Sequence, residues 1–422
     1  MAGEPIDTTT PSNHPVGIKY WRIHRNLYVA VTLGLLIANV ITGAPWWSFW
    51  PIFGWGVVVM FHFFLFRSIN IEDEWVDSRA GDLRSKSYDF SHINDIQSGY
   101  VPIIDAHHHF WDVEKNYHPW LCDEPLIESR HGDYRAIRKN YLPEEFARDT
   151  TDFRVVGSVY IETEWDPSDP LGETQWIQSL IEAEGLNTTV VASAALDRDD
   201  VDELLAEHAK HSAVRGIRHK PNTIPEPAEL PWGAPGSMSD NRWLAGYAKL
   251  RNHALSFDLQ VPYWHLPEAV ELAKVFPDTL LILNHTGLPN HRHPQALRFW
   301  RTGLRKLAEL PNTALKISGL GEPHLRPWTI AAHEQVILDA IEEFGVERCM
   351  FASNYPVESL YVDYGLMMRG YFTATREFSA GDKEKLFLTN AARYYRMEIP
   401  EIEDLDQERR FGRSAKQSSD ST

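Results

Sequence analysis

Three consecutive histidines follow a short apolar run in the segment IIDAHHHFWD, residues 103–112. Side chains alternate between the two faces of an extended strand, so Asp105, His107 and His109 are predicted to share one face, with His108 on the other. Two neutral imidazoles that stand two residues apart can bind one metal ion. The alternative is a pair of buried histidines whose hydrogen bonds are satisfied within the core.

Other polar residues stand at or just after the ends of further β-branched segments. They are Glu162, Glu164, Arg218, His219, Lys220, Gln260, His265, Asn284, His285, Lys316, Ser318, Ser353 and Asn354. The carboxyl ends of the strands of a closed parallel barrel meet at one mouth, so these side chains are expected to surround a common site.

The elements that would carry these residues form a repeating pattern between residues 100 and 398. Short β-branched runs alternate with amphipathic stretches of helical period. The runs are VPIIDAHHHF, VVGSVYIET, VVASAAL, VRGIRHK, SFDLQVPY, LLILNHTG, TALKISGLG and CMFASNYPV. Eight such units predict an α/β fold of the (β/α)8 TIM-barrel type. A doubly wound open sheet is the alternative, but no glycine-rich dinucleotide turn follows the first strand.

The charge balance and the cysteine count of the sequence limit which partners and which compartment the protein is expected to have. The 422 residues include 59 acidic and 41 basic side chains, a formal net charge of −18. This balance argues against a nucleic-acid partner, which would require clustered Lys and Arg. Cys122 and Cys349 are the two cysteines of the sequence. Their distance apart argues against a disulfide scaffold or a zinc knuckle and fits a reducing compartment.

Two charge-free runs near the N-terminus, Leu27–Ile41 and Trp46–Phe66, predict a two-helix transmembrane hairpin over residues 20–67. Residues 27–66 would contact the lipid bilayer of an inner or plasma membrane. Basic residues flank the pair and are absent from its turn, which places both ends and the catalytic domain in the cytoplasm. A cleaved signal peptide and a hairpin buried in a soluble domain are the alternatives. Residues 1–19 and 399–422 are expected to be disordered, and residues 68–99 to form a linker.

Two resemblances extend these predictions. The stretch PWWSFWPIFGWGVVVMFHFF resembles the bacterial 2TM domain, a two-helix module. The ordered set IIDAHHHFWD, VRGIRHKP, LLILNHTGLP, ALKISGLG, MFASNYPV and LTNAARYYRM resembles the amidohydrolase superfamily, and within it the amidohydrolase-related branch with L-fuconolactonase and pyrone-dicarboxylate lactonase. That resemblance implies a metal-binding pair at His107 and His109 and a histidine, His285, that polarises the substrate or orients water.

The sequence departs from the superfamily pattern at Asn354, where an aspartate usually ends the eighth strand as ligand or general base. An amide cannot act as a general base, although its carbonyl oxygen can bind a metal ion weakly. The fifth strand offers Gln260, with His265 further on, in place of the usual histidine ligand. The resemblance therefore leaves two alternatives open, one divalent ion with zinc as first choice, or catalysis without a metal.

The prediction is a membrane-tethered hydrolase that attacks a small lactone, or a related cyclic ester or amide, with water. The proposed catalytic residues are His285, His109, Glu162 and Arg218; the metal ligands are His107, His109 and Asn354; the substrate-binding residues are Arg218, His219, His265 and Asn354. One alternative is a metal-dependent, non-oxidative decarboxylase of an unsaturated or aromatic acid. The other is a tethered binding module without catalysis. Sequence alone does not rank the possible substrates or oligomeric states.

Overall fold

A computed structural model of the chain describes residues 15–43, 46–60, 101–225, 227 and 231–400. Contacts divide the chain into two compact units, one up to residue 95 and one from residue 96 onward. The predicted linker at 68–99 and almost all of the predicted tail lie outside the described residues.

The described residues of the first unit form two helices, α1 at Pro15–Thr42 and α2 at residues 49–60. They contact each other where the Tyr28 hydroxyl donates to the carbonyl oxygen of Ile52 at 3.2 Å. In the turn before α2, the Ser48 N–H donates to Asn39 Oδ1 of α1 at 2.8 Å. Within the described residues, neither of these helices nor any other combines the length and apolarity needed to cross a bilayer. The end of the predicted second span, residues 61–66, lies outside that description, so the membrane hairpin stays a prediction.

The second unit confirms the predicted (β/α)8 barrel. Eight parallel strands pair in chain order. Strands β1 to β8 are Pro102–His108, Arg154–Ile161, Thr188–Ser193, Val214–Arg218, Ser256–Leu259, Leu281–Leu283, Thr313–Ile317 and Cys349–Phe351. The ring closes where β1 meets the residues that follow β8, because Asn354 N–H donates to the His107 carbonyl and His109 N–H donates to the Tyr355 carbonyl, each at 2.7 Å.

Helices follow the strands and cover the outside of the barrel. Helices α3 to α13 are Pro119–Cys122, Pro143–Asp149, Gly172–Glu184, Val201–Ala209, Asn241–Tyr247, Leu266–Val275, Pro294–Ala308, Ile330–Phe344, Tyr364–Ala374, Ala380–Glu384 and Asn390–Tyr395. A π-helical segment, Lys385–Thr389, joins the last two. Short 3-10 turns at Tyr263–His265, His285–Gly287 and Val357–Leu360 follow β5, β6 and β8.

Strand alternation sorts the apolar side chains into two cores. Residues such as Ile104, Ile282 and Met350 fill the barrel interior, whereas Ile103 and Leu283 belong to the larger core between the strands and the helices. Each observed strand is shorter at its carboxyl end than the run that predicted it. The polar residues that end those runs leave the sheet pairing and form the loops at the mouth.

A register shift in β1 corrects one prediction. The pairing with β2 is irregular between Asp105 and His108, so one extra residue stands in β1 at this point. Strict alternation therefore fails, and Asp105 lies among the outer residues, where it accepts hydrogen bonds from Ser353 N–H at 2.8 Å and from the Tyr364 hydroxyl of α11 at 3.3 Å. The prediction that Asp105 shares a face with His107 and His109 was wrong.

Candidate active site

Three imidazoles from two segments meet at the carboxyl end of the barrel, two from β1 and the residue that follows it, and one from the turn after β6. The ring centroid of His107 lies 5.0 Å from that of His109 and 4.5 Å from that of His285. His108 points away, bonded to Ser158 Oγ at 2.9 Å and stacked on Phe146 of α4. Gly319, after β7, leaves room for this cluster, since a Cβ at that position would stand 2.6 Å from His285 Cγ.

The hydrogen bonds of His109 determine its tautomer. Its Nδ1 lies 2.9 Å from the Ile161 carbonyl oxygen, which can only accept, so Nδ1 carries the proton. In the neutral ring, Nε2 therefore presents a lone pair, and Asn354 Oδ1 stands 3.3 Å from it. The Asn354 amide is oriented by its Nδ2, which donates to Glu358 Oε2 at 3.4 Å. Two hydrogen-bond acceptors thus face each other at the mouth.

His107 is fully buried, and among the described residues neither of its ring nitrogens has a hydrogen-bond partner. Buried polar atoms in native structures are normally satisfied, so such an imidazole calls for a ligand. Beneath the cluster lies Lys316, whose Nζ is 2.6 Å from Asp258 Oδ1 in a fully buried ion pair. The Tyr395 hydroxyl donates to the same carboxylate at 2.9 Å.

Burial keeps all three imidazoles neutral. Desolvation, with a smaller contribution from Arg218, lowers the pKa of His109 to about 3. Desolvation also lowers the pKa of His107 well below the ordinary histidine value, helped by the charge of Lys316. It lowers the pKa of His285 in the same way, helped by the charge of Arg130. A neutral imidazole has a free lone pair, so each ring can bind a metal ion or accept a proton from water.

His107, His109 and Asn354 offer the types of donor atom that bind a divalent metal ion. His109 Nε2 and Asn354 Oδ1 are converging lone pairs with no proton between them, and the nitrogens of His107 are unpartnered in the described part of the chain. Imidazole nitrogen and amide oxygen are both metal ligands. Within the described ranges, however, no three His, Cys, Asp or Glu side chains are grouped closely enough to hold a metal ion by themselves. At this cavity, His107 and His109 would therefore need the Asn354 oxygen as a third protein ligand.

The opposite side of the mouth, after β2 and β4, is built from ion pairs. Glu162 and Arg218 form a buried salt bridge, and Arg218 also donates to the Glu162 carbonyl at 2.5 Å and to Gln260 Oε1 at 3.2 Å. Although burial acts to raise the pKa of Glu162, Arg218 and Lys220 outweigh it, and the pKa is lowered. Lys220 pairs with Glu164 at the rim. Glu162 is therefore an ionised partner of Arg218 and lies behind the cavity surface.

A cavity of about 460 Å³ opens above the cluster, a size suited to a small molecule. Predicted residues that line it are His109, Arg218, His285 and Asn354, with Lys220, Glu164 and Gln260 beside them. Glu128, Arg130 and His131 also line it but were not predicted, because they lie in the loop between β1 and β2, which has no periodic pattern. Arg130 donates to Glu322 Oε1 at 2.5 Å, so loops after β1 and β7 meet at the cavity.

The two histidines that were predicted to bind substrate, His219 and His265, do not line this cavity. The His219 ring accepts a hydrogen bond from Leu196 N–H at 3.1 Å and stacks on Trp243 of α7. His265 accepts from Ile224 N–H at 3.2 Å and lies 3.5 Å from Glu268 of α8. Both rings pack behind the strand ends, because the chain has already left the sheet at these positions. The structure therefore does not place either histidine where it could contact a substrate in this cavity.

Backbone strain is concentrated around the same cavity. Seven non-glycine residues in the described part of the chain have positive φ, and five of them lie at the mouth, namely Glu164, His285, Thr286, Leu288 and Asn354. Such conformations cost about 1–3 kcal/mol each for residues with a Cβ and persist where surrounding structure enforces them. Their clustering around one cavity supports a functional role for it.

Comparison with known proteins agrees with this geometry. The fold is a parallel (β/α)8 barrel with a polar cavity at the carboxyl ends of its strands, the position of the active site in barrel enzymes. The family model described as Amidohydrolase matches residues 104–397, well over half of the chain, and the chain belongs to this family. A second family model, the 2TM domain, matches residues 16–77.

Three relatives cover the barrel unit almost end to end. The uncharacterized protein y4mH of Sinorhizobium fredii is 39% identical over 297 residues, 70% of this chain and 99% of that protein. An L-fucono-1,5-lactonase of Burkholderia multivorans is 26% identical over 70% of this chain and 97% of its own length. The crystal structure of an amidohydrolase from Burkholderia multivorans with bound zinc has a TM-score of 0.59 and 25% identity, covering 70% of this chain and 99% of that one. These likenesses support assignment of the chain as a hydrolase.

Proposed function

We propose that this protein hydrolyses a small lactone, or a related cyclic ester or amide, in the cavity at the mouth of the barrel. The observation that carries the proposal is the convergence of three neutral imidazoles, His107, His109 and His285, beneath a cavity lined by Arg218 and Asn354. Similarity to an L-fucono-1,5-lactonase supports the choice of a lactone.

A general base and an oxyanion-binding group are both available in the proposed site. His285 Nδ1 lies 3.0 Å from Ser318 Oγ. When Nδ1 carries the proton and donates it to Ser318, Nε2 can take a proton from water. Arg218 uses three of its five N–H groups on Glu162 and Gln260 within the described residues, which leaves two to stabilise the developing oxyanion.

The reaction then follows from these roles. Water, deprotonated by His285, attacks the carbonyl carbon, and the ring C–O bond breaks. The departing alkoxide takes the proton back from the His285 imidazolium, and the hydroxy acid releases a proton at neutral pH. His107, His109 and Asn354 would hold a divalent ion. When bound, such an ion, zinc or manganese among the choices, lowers the pKa of a coordinated water and polarises the carbonyl group.

The test is hydrolysis of a panel of sugar and aliphatic lactones by the full chain, followed with a pH indicator. His285→Ala is expected to lower kcat/KM by roughly 100- to 10,000-fold, because it removes the group that moves the proton. His324→Ala is the matched control, since His324 is an exposed histidine outside the cavity lining and its loss should leave the rate unchanged.

Each other outcome points to a different function. Release of carbon dioxide from an unsaturated or aromatic acid, with no lactone hydrolysed, would favour a decarboxylase. Binding of a lactone without turnover would favour a binding module. Acid release that survives His285→Ala would place the general base elsewhere and contradict the role given to His285.

We also propose that the first unit tethers the enzyme to an inner or plasma membrane, with the barrel in the cytoplasm. The match of residues 16–77 to the 2TM domain and the charge-free runs within 27–66 support this. The full chain should stay in the membrane fraction after an alkaline carbonate wash, and the double variant Leu36→Arg/Ile37→Arg should lose that retention. Leu366→Arg, on an exposed side chain of α11, is the control. Release of the unaltered chain by the wash would contradict the tether.

A further inference from the structure

A buried glutamate stands directly behind Asn354. Glu358 lies one turn further along, in the 3-10 segment Val357–Leu360, and its side chain is fully buried. Its Oε2 accepts from Asn354 Nδ2 at 3.4 Å, and its Oε1 accepts from Gly321 N–H, after β7, at 2.6 Å. Both carboxylate oxygens are therefore used, each by a different element of the mouth.

This contact decides which end of the Asn354 amide faces His109. An ionised carboxylate only accepts hydrogen bonds, so in that state Glu358 selects the NH₂ group of the amide and turns Oδ1 toward His109 Nε2 at 3.3 Å. If the amide were turned over, its NH₂ group would donate to His109 Nε2 and occupy the lone pair. Glu358 thus keeps two acceptors, one nitrogen and one oxygen, open toward the same point.

We infer that Glu358 is a positioning residue, which orients the Asn354 amide oxygen as a ligand for a divalent cation. Two ionised carboxylates in contact repel each other, so a glutamate at 358 is better matched by an amide at 354 than by an aspartate. The inference rests on the proposed function only in taking this cavity as the active site.

The test is a double-mutant cycle on the full chain, with Zn²⁺ alone as the probe and titration calorimetry as the readout. Glu358→Gln lets the Asn354 amide turn over and cap His109, so Zn²⁺ affinity should fall at least tenfold, the effect usual for a partner that orients a metal ligand. Asn354→Asp places a carboxylate against Glu358, so the melting temperature without metal should drop by several degrees.

The double variant Asn354→Asp/Glu358→Gln moves the single carboxylate to position 354, with the glutamine amide as its donor. Its melting temperature should return close to that of the wild type, and its Zn²⁺ affinity should equal or exceed the wild-type value. The effects of the two substitutions are therefore expected to be strongly non-additive. Glu173→Gln is the matched control, because Glu173 is equally buried but bonds to Tyr160 and Thr163, and its Zn²⁺ affinity should stay within twofold.

Three results would overturn the inference. They are additive effects of the two substitutions, a Glu358→Gln variant with wild-type Zn²⁺ affinity, and a wild-type chain that binds no Zn²⁺. No lactone is used in these measurements, so they succeed or fail independently of the hydrolysis assay. A chain that hydrolyses lactones but shows no coupling between positions 354 and 358 would keep the proposed function and lose this inference.

Discussion

The two sides of the barrel mouth differ in how their polar atoms are satisfied. On the side of β1, β6 and β8, His107 has two unpartnered nitrogens within the described residues, and His109 faces the Asn354 oxygen with no proton between them. On the side of β2 and β4, Glu162 and Arg218 satisfy each other. A buried polar atom without a hydrogen-bond partner lowers the stability of a folded protein. The unpartnered atoms of the histidine side therefore indicate a ligand-binding site, whereas the paired charges of the other side stabilise the fold and supply a positive charge to the cavity.

The largest expected effect on stability comes from removing the buried salt bridge between Glu162 and Arg218. Glu162→Gln should leave Arg218 buried without its counter-ion and lower the free energy of unfolding by about 3 kcal/mol, because an uncompensated buried charge is strongly destabilising. Urea unfolding of the variant and the wild type measures the difference. A decrease in the free energy of unfolding of less than about 1 kcal/mol would mean that solvent reaches Arg218. The two sides of the mouth would then not differ in how their charges are buried.

The neighbouring ion pair is the matched control for this experiment. Lys220 and Glu164 join the same two strand ends, but their side chains are 39% and 51% exposed. Solvent screens such a pair, so Lys220→Met should change the free energy of unfolding by less than about 1 kcal/mol. A loss as large as that of Glu162→Gln would show that burial is not what separates the two pairs.

A smaller effect, opposite in sign, is expected on the histidine side. His107→Met replaces two unsatisfied polar atoms with apolar ones of similar volume, so the metal-free chain should gain roughly 1 kcal/mol of stability. Lactone hydrolysis should fall at least about tenfold, because the variant loses a proposed metal ligand. Unfolding in the presence of a chelator and the pH-indicator assay measure these two results. A clear loss of stability would remove the contrast between the two sides.

The sequence predicted the features that depend on local patterns and missed those that depend on contacts between distant segments. The sequence predicted the barrel, since each strand carries its own β-branched pattern, and it predicted that His107, His109 and His285 would meet. It did not predict Arg130 or Glu358. Arg130 lies in an aperiodic loop, and the role of Glu358 depends on a contact with Gly321, which is 37 residues away. Asp105 was misplaced because one extra residue in β1 changes the alternation, and nothing in the local sequence signals it.

Local sequence by itself determined the order of strands and helices and the polar residues at the strand ends, because periodicity and turn chemistry act over a few neighbouring residues. Only the tertiary structure decided which of those residues face the cavity. His219 and His265 lie outside the cavity because they pack against α7 and α8. The orientation of the Asn354 amide is set by its hydrogen bond to Glu358. Orientation depends on contacts between distant segments, and those contacts exist only once the barrel has closed between β1 and β8.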